Sequence, residues 1–391
     1  MRFLLILLIF CLLFGLPLKA QTPLRPDTVW VKPTPEWPRR VKENSGLALV
    51  GNTLWTFNDS GGKPLLYAID PERWSVERKR RIKGVKNNDW ESIALGNGWV
   101  CVADLGNNNG KRSDLNLLIF PESSLSNGIG RIKVQKKITL NYPQERFPFD
   151  QKGRHDRDCE ATTWIGQRLV MFTKNWKSRN TFIFSINPMA DQVEVTPEDT
   201  LEVGMLVTAA DYLAEEDLLA LTGYIGYRCY LVLVPHYSDE KNRDRNLRKY
   251  LLNGLDGAQV EAVAFYGEQQ LLLSTEKTAV FPQQGYVLNY QRLVLPTGIR
   301  PEVCLYTPLR IKGFTFDPQE KLLEIVSEGY DKASMLDVVD LKGNRLKYTD
   351  LAWSPSGSRV FRLQEGQSLD DRMWFIRIHG QHTTALKITL E

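Results

Sequence analysis

Five acidic residues, Glu43, Glu91, Glu160, Asp211 and Glu261, each head a short apolar run, at successive spacings of 48, 69, 51 and 50 residues. A second set follows further along each run: Asp59, Asp104, Lys174, Tyr224 and Glu276. If the runs are equivalent units around one axis, as many as eight carboxylates converge on one lysine. Such a cluster must bind cations, share protons or recruit bases. Oxygen donors favour calcium or magnesium over softer metals, and Asp59, Asp104, Glu276, Glu91 and Glu261 are the expected ligands. A residue repeated in every unit also suits a scaffold role, accepting backbone N–H bonds from the next unit, and this is the favoured expectation for the leading acids. The second set varies in chemistry, so Lys174 and Tyr224 are the residues expected to meet a ligand. Trp55, Trp90, Trp164 and Trp176 lie within or beside the same runs. They suit packing between units or, with Trp90 and Trp176 foremost, stacking on a small molecule or glycan.

Other motifs carry less. Gly106 to Arg112 has three residues between its glycines and an arginine where a phosphate loop needs serine or threonine, so it reads as a turn. Ser60 has no nucleophile elbow around it. The four histidines, His155, His236, His379 and His382, lack zinc-site spacing. Cys101, Cys159, Cys229 and Cys304 are widely and irregularly spaced with no CxxC, and Cys101 and Cys229 sit in strand-like runs where a buried thiol is expected.

The elements that must position the acids are strands. After each leading acid comes a strand of small residues, a tight turn such as Gly96-Asn97-Gly98 or Gly267-Glu268-Gln269, a β-rich strand, a loop and a third strand. Charged segments such as GRIKVQKKITL can supply a fourth. Four strands per unit at a period of about 40 to 50 residues are the signature of a β-propeller. The expected fold is therefore all-β: a five- or six-bladed propeller over residues 41–295, with Asp27 to Val31 closing the ring on the last blade. A sandwich or solenoid is the alternative all-β reading. After residue 295 the repeat stops, and short alternating strands with a Gly-Asn turn predict a small antiparallel β-sandwich over 296–391.

Residues 1–20, MRFLLILLIFCLLFGLPLKA, read as a signal peptide, so export to the cell exterior or outer-membrane surface is expected, with the periplasm as alternative. Segment 21–40 then contains the closing strand. No later stretch is apolar enough to cross a membrane. Of 50 basic residues, Arg2 and Lys19 lie in that leader, which leaves 48 against 46 acids, a net of +2. A nearly neutral chain implies no nucleic-acid partner. The basic stretches Glu77 to Lys86 and Asp239 to Lys249 read as solvated edges.

The stretches ENSGL, NDSGG, NDWESIA, ADLGNN, DCEATTW, TKNW and QVEAVAF, spread over residues 41–280, resemble secreted propellers common in Bacteroidetes, with looser similarity to NHL-type, lactonase-type and esterase-like phytase propellers. The resemblance implies architecture more than reaction. It also implies calcium that polarises a carbonyl or phosphoryl oxygen, with Asn44, Asn58, Asn88 and Asn107 as neutral ligands and water as nucleophile. Two functions stay open: a propeller binding a ligand at its channel mouth without catalysis, and a calcium-dependent hydrolase of the lactonase or phosphoesterase kind. The C-terminal segment resembles the sorting domain of type IX secretion. Asp317-Pro318, the Asp340 to Arg345 turn and Lys387 to Leu390 carry that likeness, while Asp371 to Trp374 departs from it. Type IX machinery is the partner this implies; a retained structural cap is the alternative.

Overall fold

A computed structural model describes residues 27–126, 131–143, 153–278 and 281–294, together with the backbone of seven strands between 310 and 389. The leader 1–20 lies outside the described residues. The described part of 27–294 forms five blades, and the chain is all-β.

The innermost strands are Asn44–Val50, Ser92–Gly96, Cys159–Ile165, Leu206–Leu213 and Val260–Tyr266. Each packs against the next, and the fifth returns to the first, so the ring is closed. Crowding at the axis explains their small residues. A Cβ on Gly46 would sit 2.8 Å from the Phe57 ring and 3.0 Å from the Ile93 backbone nitrogen of the next blade. Each inner strand turns tightly into an antiparallel second strand, as in Ala48 opposite Trp55 and Ala94 opposite Cys101. In the second blade Asn97 (φ 54°) and Gly98 (φ 74°) are both left-handed, the conformation a two-residue hairpin turn requires.

The outer strands show how consecutive blades are stitched together. Ile132–Lys133, just before the second blade's outer strand Lys136–Asn141, runs parallel to the first blade's outer strand Ser75–Lys83. Gln192–Glu194, just before the third blade's outer strand Asp199–Leu201, does the same to the second blade. The N-terminal segment repeats this arrangement. Asp27–Trp30 lies parallel to Arg248–Asn253 of the fourth blade, and Lys32–Pro33 then completes the fifth blade against Gln284–Asn289. The strand on the last blade is thus Lys32–Pro33, which directly follows the segment expected to close it. The basic Ser75–Lys83 strand is largely exposed at the rim, as a solvated edge should be.

The hydrophobic core fills the gaps between blades. Trp55, Phe57, Trp90, Val100 and Phe120 pack together between the first two, and Ala161, Phe172, Leu221 and Val232 between the third and fourth. Cys101, Cys159 and Cys229 are buried free thiols, and Cys304 lies outside the described residues. The C-terminal strands form two antiparallel sheets of four and three strands. Among the described residues no helix is long and apolar enough to cross a membrane.

Candidate functional site

Three inner strands carry a one-residue bulge at the same place: Glu160 between Cys159 and Ala161, Thr208 between Val207 and Ala209, and Glu261 between Val260 and Ala262. The bulge re-aims one side chain per blade out of the regular alternation. Counting by it, the leading position holds Glu91, Glu160, Thr208 and Glu261 in the second to fifth blades. Asp211, expected there, lies three residues further along the fourth strand. It serves the scaffold: Asp211 Oδ2 accepts the Phe265 N–H of the fifth blade at 2.8 Å, and Oδ1 accepts that of Tyr212. Thr208, the true equivalent, donates its hydroxyl to the Val260 carbonyl of the fifth blade. Glu43 is exposed and precedes the first inner strand by one residue.

The second column is defined by a shared backbone bond. Asp59, Gly106, Lys174 and Glu276 each donate their N–H to the residue two before the leading position: Glu43, Asp89, Asp158 and Gln259 respectively. Tyr224 pairs with Leu206 at the same level of the fourth blade. The column is therefore Asp59, Gly106, Lys174, Tyr224 and Glu276. Asp104 drops out, because Leu105 is tucked into the core and shifts the count by one. Its carboxylate accepts from Arg112 Nη2 at 2.8 Å and from the Asp89 N–H at 3.1 Å, which fixes the following loop. Arg112 also grips the Gly106 carbonyl and Asp114.

Lys174 is the centre of the site and is 4% exposed. Its Nζ donates to both Glu160 oxygens, at 2.6 and 2.7 Å. The Tyr224 and Trp176 rings stand 5.1 and 5.2 Å from it, a cation–π flank on two sides. Burial disfavours its charge, but Glu160 and Glu261 outweigh burial and hold its pKa well above the ordinary value. Trp176 is positioned by donating Nε1 to Asp158 Oδ2 at 2.9 Å, while the other oxygen of Asp158 accepts the Asn107 N–H of the second blade.

Around this pair the carboxyl groups resist ionisation. Burial, then the charges of Glu261 and Asp59, lift Glu276 to about 8. Burial lifts Glu261 to about 7 against the pull of Lys174, and burial with Asp59 lifts Asp89 to about 6. Burial and Glu160 push Glu91 well up. Near neutral pH the site therefore holds both protonated and ionised carboxyls. Asp59, Tyr224, Glu276 and Trp176 are half-buried and form its open side; Glu91, Asp158, Glu160 and Glu261 form its floor.

Of the expected metal ligands, Asp59, Glu261 and Glu276 stand close enough to raise one another's pKa values, Glu91 lies instead beside Glu160, Asp89 and Asp158, and Asp104 is committed to Arg112. Among the described residues no three Asp, Glu, His or Cys side chains stand in metal-ligating geometry. The expected neutral ligands are spent elsewhere: Asn44 on Thr56 and Ser274, Asn58 on Glu43 and Arg40, Asn88 on Asp104 and Asp114, and Asn107 on Arg112 and Arg157. Trp90 is fully buried edge-on to Phe57 and offers a ligand no surface, because its place in the inter-blade core leaves no free face. His155 is buried between the Asn108 carbonyl and the Arg157 N–H, holding a loop. Sequence reasoning missed Asp89, Asp158 and Gly106. The recurrence of an acid two residues before Glu91 and Glu160 was the available signal for the first two.

No protein-family model matches the chain, and no curated protein matches it in sequence. Similar solved structures include a putative 6-phosphogluconolactonase from Bacteroides fragilis, 13% identical over 89% of this chain and 84% of that one, with a TM-score of 0.36. An exo-beta-1,3-galactanase from Clostridium thermocellum is 12% identical over 88% and 82%, with a TM-score of 0.41. Hydrazine synthase of Kuenenia stuttgartiensis is 10% identical over 75% of each chain, with a TM-score of 0.35. Likeness of this degree assigns neither activity nor substrate, and the five-bladed ring rests on the chain's own strand pairing.

Proposed function

We propose that this is an exported propeller that binds a small polar ligand, such as a glycan, at the axial mouth formed by Asp59, Lys174, Trp176, Tyr224 and Glu276. The observation that carries the reading is the Lys174–Glu160 pair, clamped between two aromatic rings beneath half-buried carboxyls. Carboxyls that are partly protonated near neutrality both donate and accept hydrogen bonds, and aromatic faces take the apolar side of a sugar ring. Export follows from the leader-like residues 1–20, and the C-terminal resemblance supports handling by type IX machinery. Saturation-transfer NMR against a panel of mono- and oligosaccharides tests the site. Binding abolished by Tyr224→Ala and Glu276→Gln supports it; binding unchanged in both variants refutes it.

The second reading is a calcium-dependent hydrolase of the lactonase or phosphoesterase kind. It is favoured by the proximity of Glu276, near 8, to Asp59 and Glu261, a set able to supply an acid and a base at one pH. Calcium-stimulated turnover of a lactone or phosphate ester, lost in Glu276→Gln and Asp59→Asn, would select it.

A further inference from the structure

The outer strand of the first blade, Ser75–Lys83, alternates strictly at its far end. Arg80 and Ile82 are buried, while Lys79, Arg81 and Lys83 are exposed. Successive side chains of a strand point to opposite faces, so these three cations share the outward face. The stitching strand Ile132–Lys133 lies parallel beside it, with Ile132 against Ile82 and Lys133 against Lys83. Ile132 is buried and Arg131 and Lys133 are exposed, so the stitch turns its own cations to the same side. The same register puts Arg131 beside Arg81. Arg81, Lys83, Arg131 and Lys133 thus mark out a square, about 5 Å across the strands and about 7 Å along them at the backbone, with Lys79 one step further on.

Like charges directly opposite on neighbouring strands repel. Among the described residues none of these cations is within ion-pair distance of a carboxylate. Protection of an open sheet edge accounts for a lysine such as Lys79. It does not account for the square, because there the edge is already covered by Ile132–Lys133. Nor does stitching blades together require cations. The equivalent stitch on the second blade sets Gln192 against Thr139 and Glu194 against Asn141, and that on the fourth sets Asp27 against Tyr250 and Trp30 against Asn253.

We infer that this platform on the rim of the first blade binds an acidic polysaccharide, one whose sulfate or carboxylate groups repeat along an extended chain. Cations set at strand spacing on one face meet such a chain along its length, and the repulsion between Lys83 and Lys133 becomes attraction to a shared anion. A bilayer surface is held more firmly where apolar side chains insert beside the cations, and a nucleic acid where exposed aromatic faces stack its bases. The exposed large apolar side chains among the described residues, Trp30, Met189, Ile225 and Tyr227, lie instead on the third and fourth blades and the strand that edges the fourth. The platform stands apart from the axial mouth, and the inference does not rest on the ligand reading there.

The test is fluorescence anisotropy of a labelled heparin oligosaccharide titrated with the purified full chain at about 50 mM and about 200 mM salt. Saturable binding is expected at the lower salt, weakened about tenfold or more at the higher, where released counter-ions favour the complex less. Lys83→Gln with Lys133→Gln, both exposed and outside the core, should weaken the low-salt binding about tenfold. Lys241→Gln with Arg245→Gln removes the same charge from exposed positions of the other basic stretch and should leave binding unchanged. Co-sedimentation with phosphatidylglycerol vesicles and anisotropy of a labelled single-stranded DNA are measured alongside. The inference is overturned if the oligosaccharide shows no saturable binding, if the Lys83 and Lys133 variant binds it as the wild type does, or if the vesicles or the DNA bind more tightly than the oligosaccharide.

Discussion

Lys174→Met removes the buried ammonium while keeping much of its apolar stem. Glu160, 3% exposed, then faces Asp158, Glu261 and Glu91 without its cation. A carboxyl so placed takes up a proton rather than stay charged. In the unfolded chain it titrates near 4.5, so holding it protonated in the fold costs about 1.4 kcal/mol for each pH unit above that value. The expected loss is roughly 5 kcal/mol at pH 8 and under about 1 kcal/mol at pH 5, the former matching the cost of breaking other buried pairs. Urea unfolding followed by tryptophan fluorescence at the two pH values measures it. Adding Glu160→Gln to Lys174→Met should recover most of the loss at pH 8, since no charge is then stranded. Equal losses at pH 5 and pH 8, or less than about 1 kcal/mol at pH 8, would refute the stranded-charge reasoning.

Protonation of the site's carboxyls gives a second prediction. Glu276 and Glu261 titrate higher in the fold than unfolded, so their contribution to stability is full below about 4.5 and is lost as pH rises through about 7 and 8. Denaturation midpoints should fall from pH 5 to pH 8, and Glu276→Gln should flatten that slope. Asp211→Ala removes the acceptor that ties the fourth blade to Phe265 of the fifth and should cost about 1–3 kcal/mol in the same urea assay. Asp104→Asn weakens the grip on Arg112 and should raise protease sensitivity of the 106–114 loop, read by limited proteolysis, while leaving the blades intact.

The four-strand period was legible because each blade repeats the same local chemistry. Small residues mark the inner strand, glycine marks its turn, and β-branched or aromatic residues mark the second strand. The sequence also brought Glu91, Glu160, Glu261, Lys174 and Tyr224 forward as members of one site, since a closed ring carries equivalent positions to one axis. What misled it was counting by acid. Aligned by the small residue instead, Val207-Thr208-Ala209 matches Cys159-Glu160-Ala161 and Val260-Glu261-Ala262, and Thr208 replaces Asp211.

Local pattern by itself determined the strands, their period and the identity of most central residues, because alternation and turn chemistry are local properties of the chain. Only the tertiary structure decided which acids face the axis. A single extra residue, such as Leu105, turns every following side chain to the other face. Hence Asp104 holds a loop while Gly106 leaves a gap at the centre, and Trp90 packs in the core while Trp176 flanks Lys174. The burial that lifts the carboxyl pKa values also comes from the packing of blade against blade around the ring, and no single blade's sequence contains it.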